Sequence, residues 1–136
     1  MLDRVDVNAR DADGQTALHI AVAQGQRLFE ACVFVGHLGV VELLVAAGAR
    51  VDEPDRRNTT ALMLAAVKND TRLAMSLLEA KASLQSRDTQ QRTVLFFACT
   101  AGSLRLCQLL LDSGASVNDR DATLVTPLMC AIQSGQ

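Results

Sequence analysis

Six cysteine and histidine side chains in this chain are candidates for nucleophilic chemistry or zinc binding. They are Cys32, Cys99, Cys107, Cys130, His19 and His37. Zinc sites and redox dithiols commonly use the spacing C-x-x-C, and no pair of these cysteines shows it. The histidines also lack a spacing that would bring them together with the cysteines around one metal ion. We therefore expect no metal site.

Short glycine-rich signatures mark phosphate-binding loops, dinucleotide-binding turns and nucleophile elbows, and none occurs in this sequence. The carboxylates are mostly aspartates at recurring turn positions, where they have structural roles. We predict that the protein is not an enzyme and binds no cofactor.

The composition indicates one globular domain with an aliphatic core. The chain has 136 residues, of which 49% are hydrophobic, and it contains four Phe but no Trp or Tyr. A net charge of −2 gives no general attraction to nucleic acid or to acidic membranes. The first residues carry charge and lack the apolar run of a signal peptide. We expect a cytoplasmic or nuclear protein that contacts neither nucleic acid nor membrane.

A block of residues returns along the chain at a step of 33. The copies begin at Thr60, Thr93 and Thr126, and an earlier copy at Thr16 lies 44 residues before Thr60. A period of this length indicates a solenoid of stacked units. The longer first step is one period with 11 added residues.

Each unit has the pattern of a turn, a short helix, a tight turn and a second helix. The recurring Thr is a natural helix N-cap, and the second helix carries an apolar stripe such as Leu73, Leu77 and Leu78. Certain turn positions are predicted to have positive φ. At the end of the second helix these are Gly48, Lys81 and Gly114, and between the helices Gly36, Asn69 and Gly102.

Three cysteines fall on positions that are apolar in other units. Cys99 matches Ala66, Cys107 matches Ala74, and Cys130 matches Leu64 and Phe97. We interpret them as reduced thiols that act as small core hydrophobes, as is usual in intracellular proteins.

Residues 11–21 and 36–49, together with Val117-Asn118 and Thr126-Pro127-Leu128, resemble the ankyrin repeat. The resemblance implies an all-α solenoid of stacked antiparallel helix pairs joined by short β-hairpin loops, with His19 and His37 in structural roles. We expect one domain over 1–136, with units at 8–51, 52–84 and 85–117 and a partial unit at 118–136. The turn glycine is kept at Gly14 but is replaced by Asn58, Gln91 and Leu124. The hairpins around the last two are therefore expected to be less regular.

The resemblance also implies a non-catalytic scaffold that presents a concave surface to a protein or peptide. By register, the candidate contact residues are Asp13, Gln15, Gln24, Arg56, Arg57, Thr59, Lys68, Gln90, Arg92 and Thr123. Arginines grip carboxylates in bidentate fashion, which favours an acidic partner, whereas the alternative is a solvated hairpin edge. Asn8 and Asn118 occupy hairpin positions that are often hydroxylated in this family.

The added residues 25–35 are unusually apolar for a turn. A helical insert would lengthen the first helix by about 16 Å, and the alternative is a loop above a closed stack. The insert is either a patch for a partner or for self-association of an otherwise monomeric chain, or a splice-derived segment that the stack tolerates. We predict that its deletion raises thermal stability.

The sequence begins just before a hairpin and ends after the first helix of a unit, which exposes an uncapped apolar face. We expect a fragment of a longer array or a truncated isoform. Two alternatives to a simple scaffold follow: a regulatory or autoinhibitory segment of a larger protein, or an isoform with weakened binding.

Overall fold

A computed structural model describes residues 7–19 and 34–135. They contain six complete helices: α1 Phe34–Ala46, α2 Ala61–Val67, α3 Thr71–Glu79, α4 Val94–Ala101, α5 Leu104–Asp112 and α6 Pro127–Gln133. Residues 17–19 are also helical. The elements of the described ranges are helices joined by turns, without strands, which confirms the predicted all-α class. None of the described helices has the length and apolar character needed to cross a membrane.

Side-chain caps explain where most of these helices begin. Thr60 Oγ1 accepts a hydrogen bond from the Met63 amide at the start of α2, and Thr126 caps α6 in the same way. Asp70 and Ser103 cap α3 and α5.

The start of α4 is the exception to this capping pattern. Thr93 has the extended backbone of an N-cap, but its buried hydroxyl makes no hydrogen bond within the described residues. The Phe96 amide donates instead to the Thr93 carbonyl, at 3.1 Å. The predicted threonine cap is therefore present at α2 and α6 and absent at α4.

The helices pack in two rows. α2 packs against α4, which packs against α6, while the second row runs from α1 through α3 to α5. α2 with α3, and α4 with α5, form the pairs that join the rows. Ala65 and Ala98 are fully buried in the first row, where their small size allows close approach.

The apolar core lies between the rows and is built mainly by α2 to α5. Its largest buried members are Phe96, Leu18, Leu62, Met63, Leu77, Leu106 and Leu110. Burying side chains of this size contributes roughly 1.5–3 kcal/mol each. The described fold is therefore stabilised most strongly in its two middle pairs.

Turn residues with positive φ close the helix ends as predicted. φ is 95° at Gly48 and 101° at Gly114, and Lys81 adopts 69° at the matching position. Between the helices, Asn69 has φ 55° and Gly102 has φ 72°. The left-handed region costs Lys81 roughly 1 kcal/mol relative to glycine.

The prediction that Gly36 lies in the turn between helices is wrong. α1 begins at Phe34, so Gly36 is helical. Thr71, where α3 begins, corresponds in register to Leu38, so α1 has an extra turn at its start. The last two residues of the insert belong to this turn, and they therefore extend the second helix of the pair. The remainder of the insert lies outside the described residues.

Candidate partner-binding surface

Each hairpin turn is held closed by one aspartate. In the third turn, Asp88 Oδ1 accepts hydrogen bonds from the Gln90 and Arg92 amides, both at 2.9 Å. The Asp88 amide donates to the Arg92 carbonyl at 3.1 Å. Asp11, Asp55 and Asp121 repeat this pattern in the other turns.

The four turns also share one left-handed residue. φ is 75° at Gly14, 58° at Asn58, 64° at Gln91 and 66° at Leu124. The expectation of less regular hairpins at Gln91 and Leu124 is therefore wrong. The carboxylate bonds of each turn outweigh a left-handed cost of about 1–2 kcal/mol.

One backbone hydrogen bond joins each turn to the next. The Arg56 amide donates to the Asp13 carbonyl at 3.3 Å, and the Thr89 amide donates to the Arg57 carbonyl at 3.1 Å. The Ala122 amide donates to the Gln90 carbonyl at 2.9 Å. We call these linked residues, together with Thr123 beside the last of them, the tip row: Asp13, Arg56, Arg57, Thr89, Gln90, Ala122 and Thr123.

The tip row contains half of the predicted contact residues. Asp13, Arg56, Arg57, Gln90 and Thr123 are exposed on it. Gln15, Thr59 and Lys68 are half-buried beside the turns or at the end of α2. Gln24 lies outside the described residues.

Arg92 is held beside the tip row. Its Nε and one Nη lie 2.9 and 2.7 Å from Asp88 Oδ2, and its guanidinium carbon lies 4.7 Å from the centroid of the Phe97 ring. Asp88 is only 3% exposed, so its carboxylate is largely shielded from water. Because Arg92 contacts both Asp88 and Phe97, it joins the hairpin to α4. The side chain of Arg92 is thereby fixed in one direction, with about a third of its surface exposed.

His19 connects two turns and has a structural role, as predicted. The ring is buried: Nδ1 accepts from the Thr16 amide at 3.2 Å, and Nε2 lies 2.9 Å from the Thr59 carbonyl. Because a carbonyl only accepts, Nε2 carries the hydrogen, and the neutral ring satisfies both contacts. His37 belongs to α1, and its side chain lies outside the described residues.

Further contacts between turns were not anticipated from the sequence. Arg10 pairs with Glu53, and Arg87 pairs with Asp119 at 3.0 Å in the same register. The hydrogen bond from Arg10 lowers the pKa of Glu53. Like charges recurring in repeat register are the signal that could have revealed these pairs. Glu53 and Asp119 are two repeat steps apart, and Arg10 and Arg87 are two steps plus the 11 added residues apart.

Two more features concern the asparagines and the last turn. Asn8 Oδ1 accepts a hydrogen bond from the Arg50 amide at 2.8 Å, whereas Asn118 is exposed.

In the last turn, the backbone hydrogen bond from Val125 lowers the pKa of Asp121. Thr123 donates its hydroxyl to the same carboxylate at 2.8 Å.

The arrangement is therefore a row of bonded turns beside a row of short helices. Within residues 7–19 and 34–135, no cluster of three or more His, Cys, Asp or Glu side chains could hold a metal ion. The surface offers hydrogen bonds and charge to a second molecule.

Comparison with known proteins identifies the family. A family model described as ankyrin repeats (3 copies) matches residues 28–121 and 85–136, together well over half of the chain. No curated protein matches the chain. Repeats of this family are generally protein–protein interaction modules and are typically non-catalytic. Period, paired helices, hairpin turns and the family match agree, and the chain belongs to the ankyrin repeat family.

Proposed function

We propose that this protein is a non-catalytic scaffold that binds a protein or peptide along the tip row and the neighbouring first-row helices. The observation that carries the proposal is the chain of backbone hydrogen bonds between successive turns. These bonds fix the spacing of side chains that themselves remain exposed. A preorganised surface loses little conformational entropy when a partner binds.

The charges of the tip row favour a partner with acidic side chains. Arg56 and Arg57 are adjacent and exposed, and each guanidinium can form two parallel hydrogen bonds with a carboxylate. Arg92 adds a third cation, already directed by Asp88 and Phe97. Asp13 lies beside Arg56, so a partner with one basic group next to its acidic groups would match this end of the row.

In this function, residues 1–136 act as one domain with the unit boundaries predicted above, in the cytoplasm or nucleus. In a regulatory role, a segment of the same protein would occupy the surface in place of a separate peptide. Hydroxylation at Asn8 or Asn118 remains a prediction. Of the two, Asn118 is the more accessible, because the Asn8 side chain bonds to the next loop.

A selection from a random peptide library displayed on phage tests this proposal. We expect the chain to enrich peptides rich in Asp and Glu. The double reversal Arg56→Glu with Arg57→Glu should weaken their binding at least tenfold, because two charge-assisted contacts are lost and replaced by repulsion. Fluorescence anisotropy with labelled peptides measures the dissociation constants.

The matched control reverses Lys81 and Arg105, two exposed cations at the end of α3 and on α5. It changes net charge by the same amount and should leave binding nearly unchanged. An equal loss of peptide affinity in both double variants would show that net charge alone causes it. No loss of affinity in either variant would show that the binding surface lies elsewhere. Reversal of Arg92 is unsuitable as a test, because it would place a second carboxylate against buried Asp88 and unfold the turn.

A further inference from the structure

Two cysteine thiols face each other across one helix pair, and the proposed scaffold role does not use them. Cys99 lies on α4 and Cys107 on α5, and their sulfur atoms are 3.8 Å apart. Both residues are half-buried. Disulfide formation requires the two sulfurs to approach to about 2 Å, so the pair starts from van der Waals contact.

The thiols are more accessible than their positions in the repeat suggest. The corresponding residues of the preceding pair, Ala66 and Ala74, have no exposed surface. Cys99 and Cys107, at the same positions of the following pair, are only half-buried. Part of the surface of both cysteines is therefore open to small solutes.

We propose that Cys99 and Cys107 form a redox site, which a hydroperoxide converts into an intrachain disulfide between α4 and α5. In the first step, the Cys107 thiol loses its proton and the thiolate attacks the peroxide, so an S–O bond forms and the O–O bond breaks. The leaving hydroxide takes up the proton from the thiol and departs as water. In the second step, the Cys99 sulfur attacks the sulfenic sulfur, so the S–S bond forms and the S–O bond breaks. The leaving hydroxide takes the proton of the Cys99 thiol and departs as a second water. Two thiols are oxidised, and one hydrogen peroxide is reduced to two waters.

The environment of the sulfurs assigns the order of these steps. Burial, reinforced by the neighbouring Cys107, raises the pKa of Cys99 to about 12. Cys99 therefore stays protonated near neutral pH and is the poorer attacking thiol. Cys130 makes a different contact, with its sulfur 3.1 Å from the Thr100 hydroxyl.

Peptide mapping of the oxidised full chain tests the proposal. The folded, reduced protein is treated with hydrogen peroxide, its remaining thiols are alkylated, and it is digested with trypsin without reduction. Cleavage after Arg92, Arg105 and Arg120 separates the three cysteines into peptides 93–105, 106–120 and 121–136. We expect 93–105 linked to 106–120, with a mass about 2 Da below the sum of the two reduced peptides, and Cys130 alkylated.

Alanine variants provide controls that should fold, because the preceding pair carries alanine at both positions. Cys99→Ala and Cys107→Ala should each abolish the link, and Cys130→Ala and Cys32→Ala should preserve it. In the Cys99→Ala variant, dimedone should trap a sulfenic acid on Cys107. A folded wild-type chain that consumes peroxide without linking these two peptides would refute the site, as would a dominant Cys99–Cys130 or intermolecular link.

Discussion

At the scale of single residues, the four hairpin turns require the same left-handed backbone conformation from four different residue types. Glycine adopts it freely at Gly14, and asparagine tolerates it at Asn58. Gln91 and Leu124 carry the full steric cost, and Leu124 is also largely exposed to solvent. The steric cost of the left-handed conformation at Leu124 is therefore not offset by burial of the leucine side chain.

Replacing this leucine should stabilise the protein. We expect Leu124→Gly to raise the free energy of unfolding by about 1 kcal/mol, because the strain of the left-handed region exceeds the added chain entropy of glycine. Urea denaturation followed by circular dichroism measures the change.

The equivalent position in the first turn supplies the opposite control. In Gly14→Ala, the new Cβ would lie 3.1 Å from both Cγ and the amide nitrogen of Arg56, at a φ of 75°. We expect a loss of about 1–2 kcal/mol. If Leu124→Gly lowers stability as well, strain is not what limits the last turn.

At the scale of helices, the repeat pattern predicts the paired elements because each position meets the same environment in every unit. The apolar stripe and the left-handed helix ends were predictable for this reason. The start of α1 was not, since the added residues remove the register constraint that places Gly36 in a turn. The Arg92–Asp88–Phe97 contact was also missed, because the turn pattern alone does not distinguish a free arginine from one bound within its own hairpin.

A pair of equivalent leucines tests how helix position sets stability. Leu95 on α4 is 3% exposed, whereas Leu128, its counterpart on α6, is 68% exposed. We expect Leu95→Ala to cost about 2–5 kcal/mol, because it opens a cavity in the packed interior. Leu128→Ala should change stability by about 0.5 kcal/mol or less.

Chemical denaturation of both variants gives the comparison directly. The substitutions are identical, so helix propensity changes equally and burial alone distinguishes them. Similar losses in the two variants would mean that another part of the chain covers the face of α6 in solution.

At the scale of the whole molecule, the insert is the one interruption of an otherwise even stack. Its last residues, Phe34 and Val35, lengthen α1, while the rest lies outside the described residues. We predict that deletion of residues 25–35 restores the even spacing of the repeat. The melting temperature should rise by several degrees, because about 1 kcal/mol corresponds to roughly 2–8 °C in a chain of this size.

Differential scanning calorimetry checks this prediction. A deletion of the same length elsewhere breaks the register, so removal of residues 60–70 is the control and should prevent cooperative unfolding. A lower melting temperature after deletion of 25–35 would show that the insert supports the fold.

The tip row could be predicted from the sequence only in part. Register identified its members, such as Arg56 and Gln90, but the bonds between successive turns depend on how closely the units stack. That distance is set by side-chain packing between the rows, and a periodic pattern does not specify it.

The uneven burial of the helices has a consequence for the order in which the molecule folds. Core side chains concentrate in α2 to α5, so we expect a folding nucleus to form there first and α6 to be added afterwards. We expect α6, in which Pro127 is the buried residue, to open and reclose more often than the middle pairs. A partner that contacts only Arg56 and Arg57 would then find its binding surface folded nearly all the time. A partner that also contacts Thr123 would bind only when the last turn is closed.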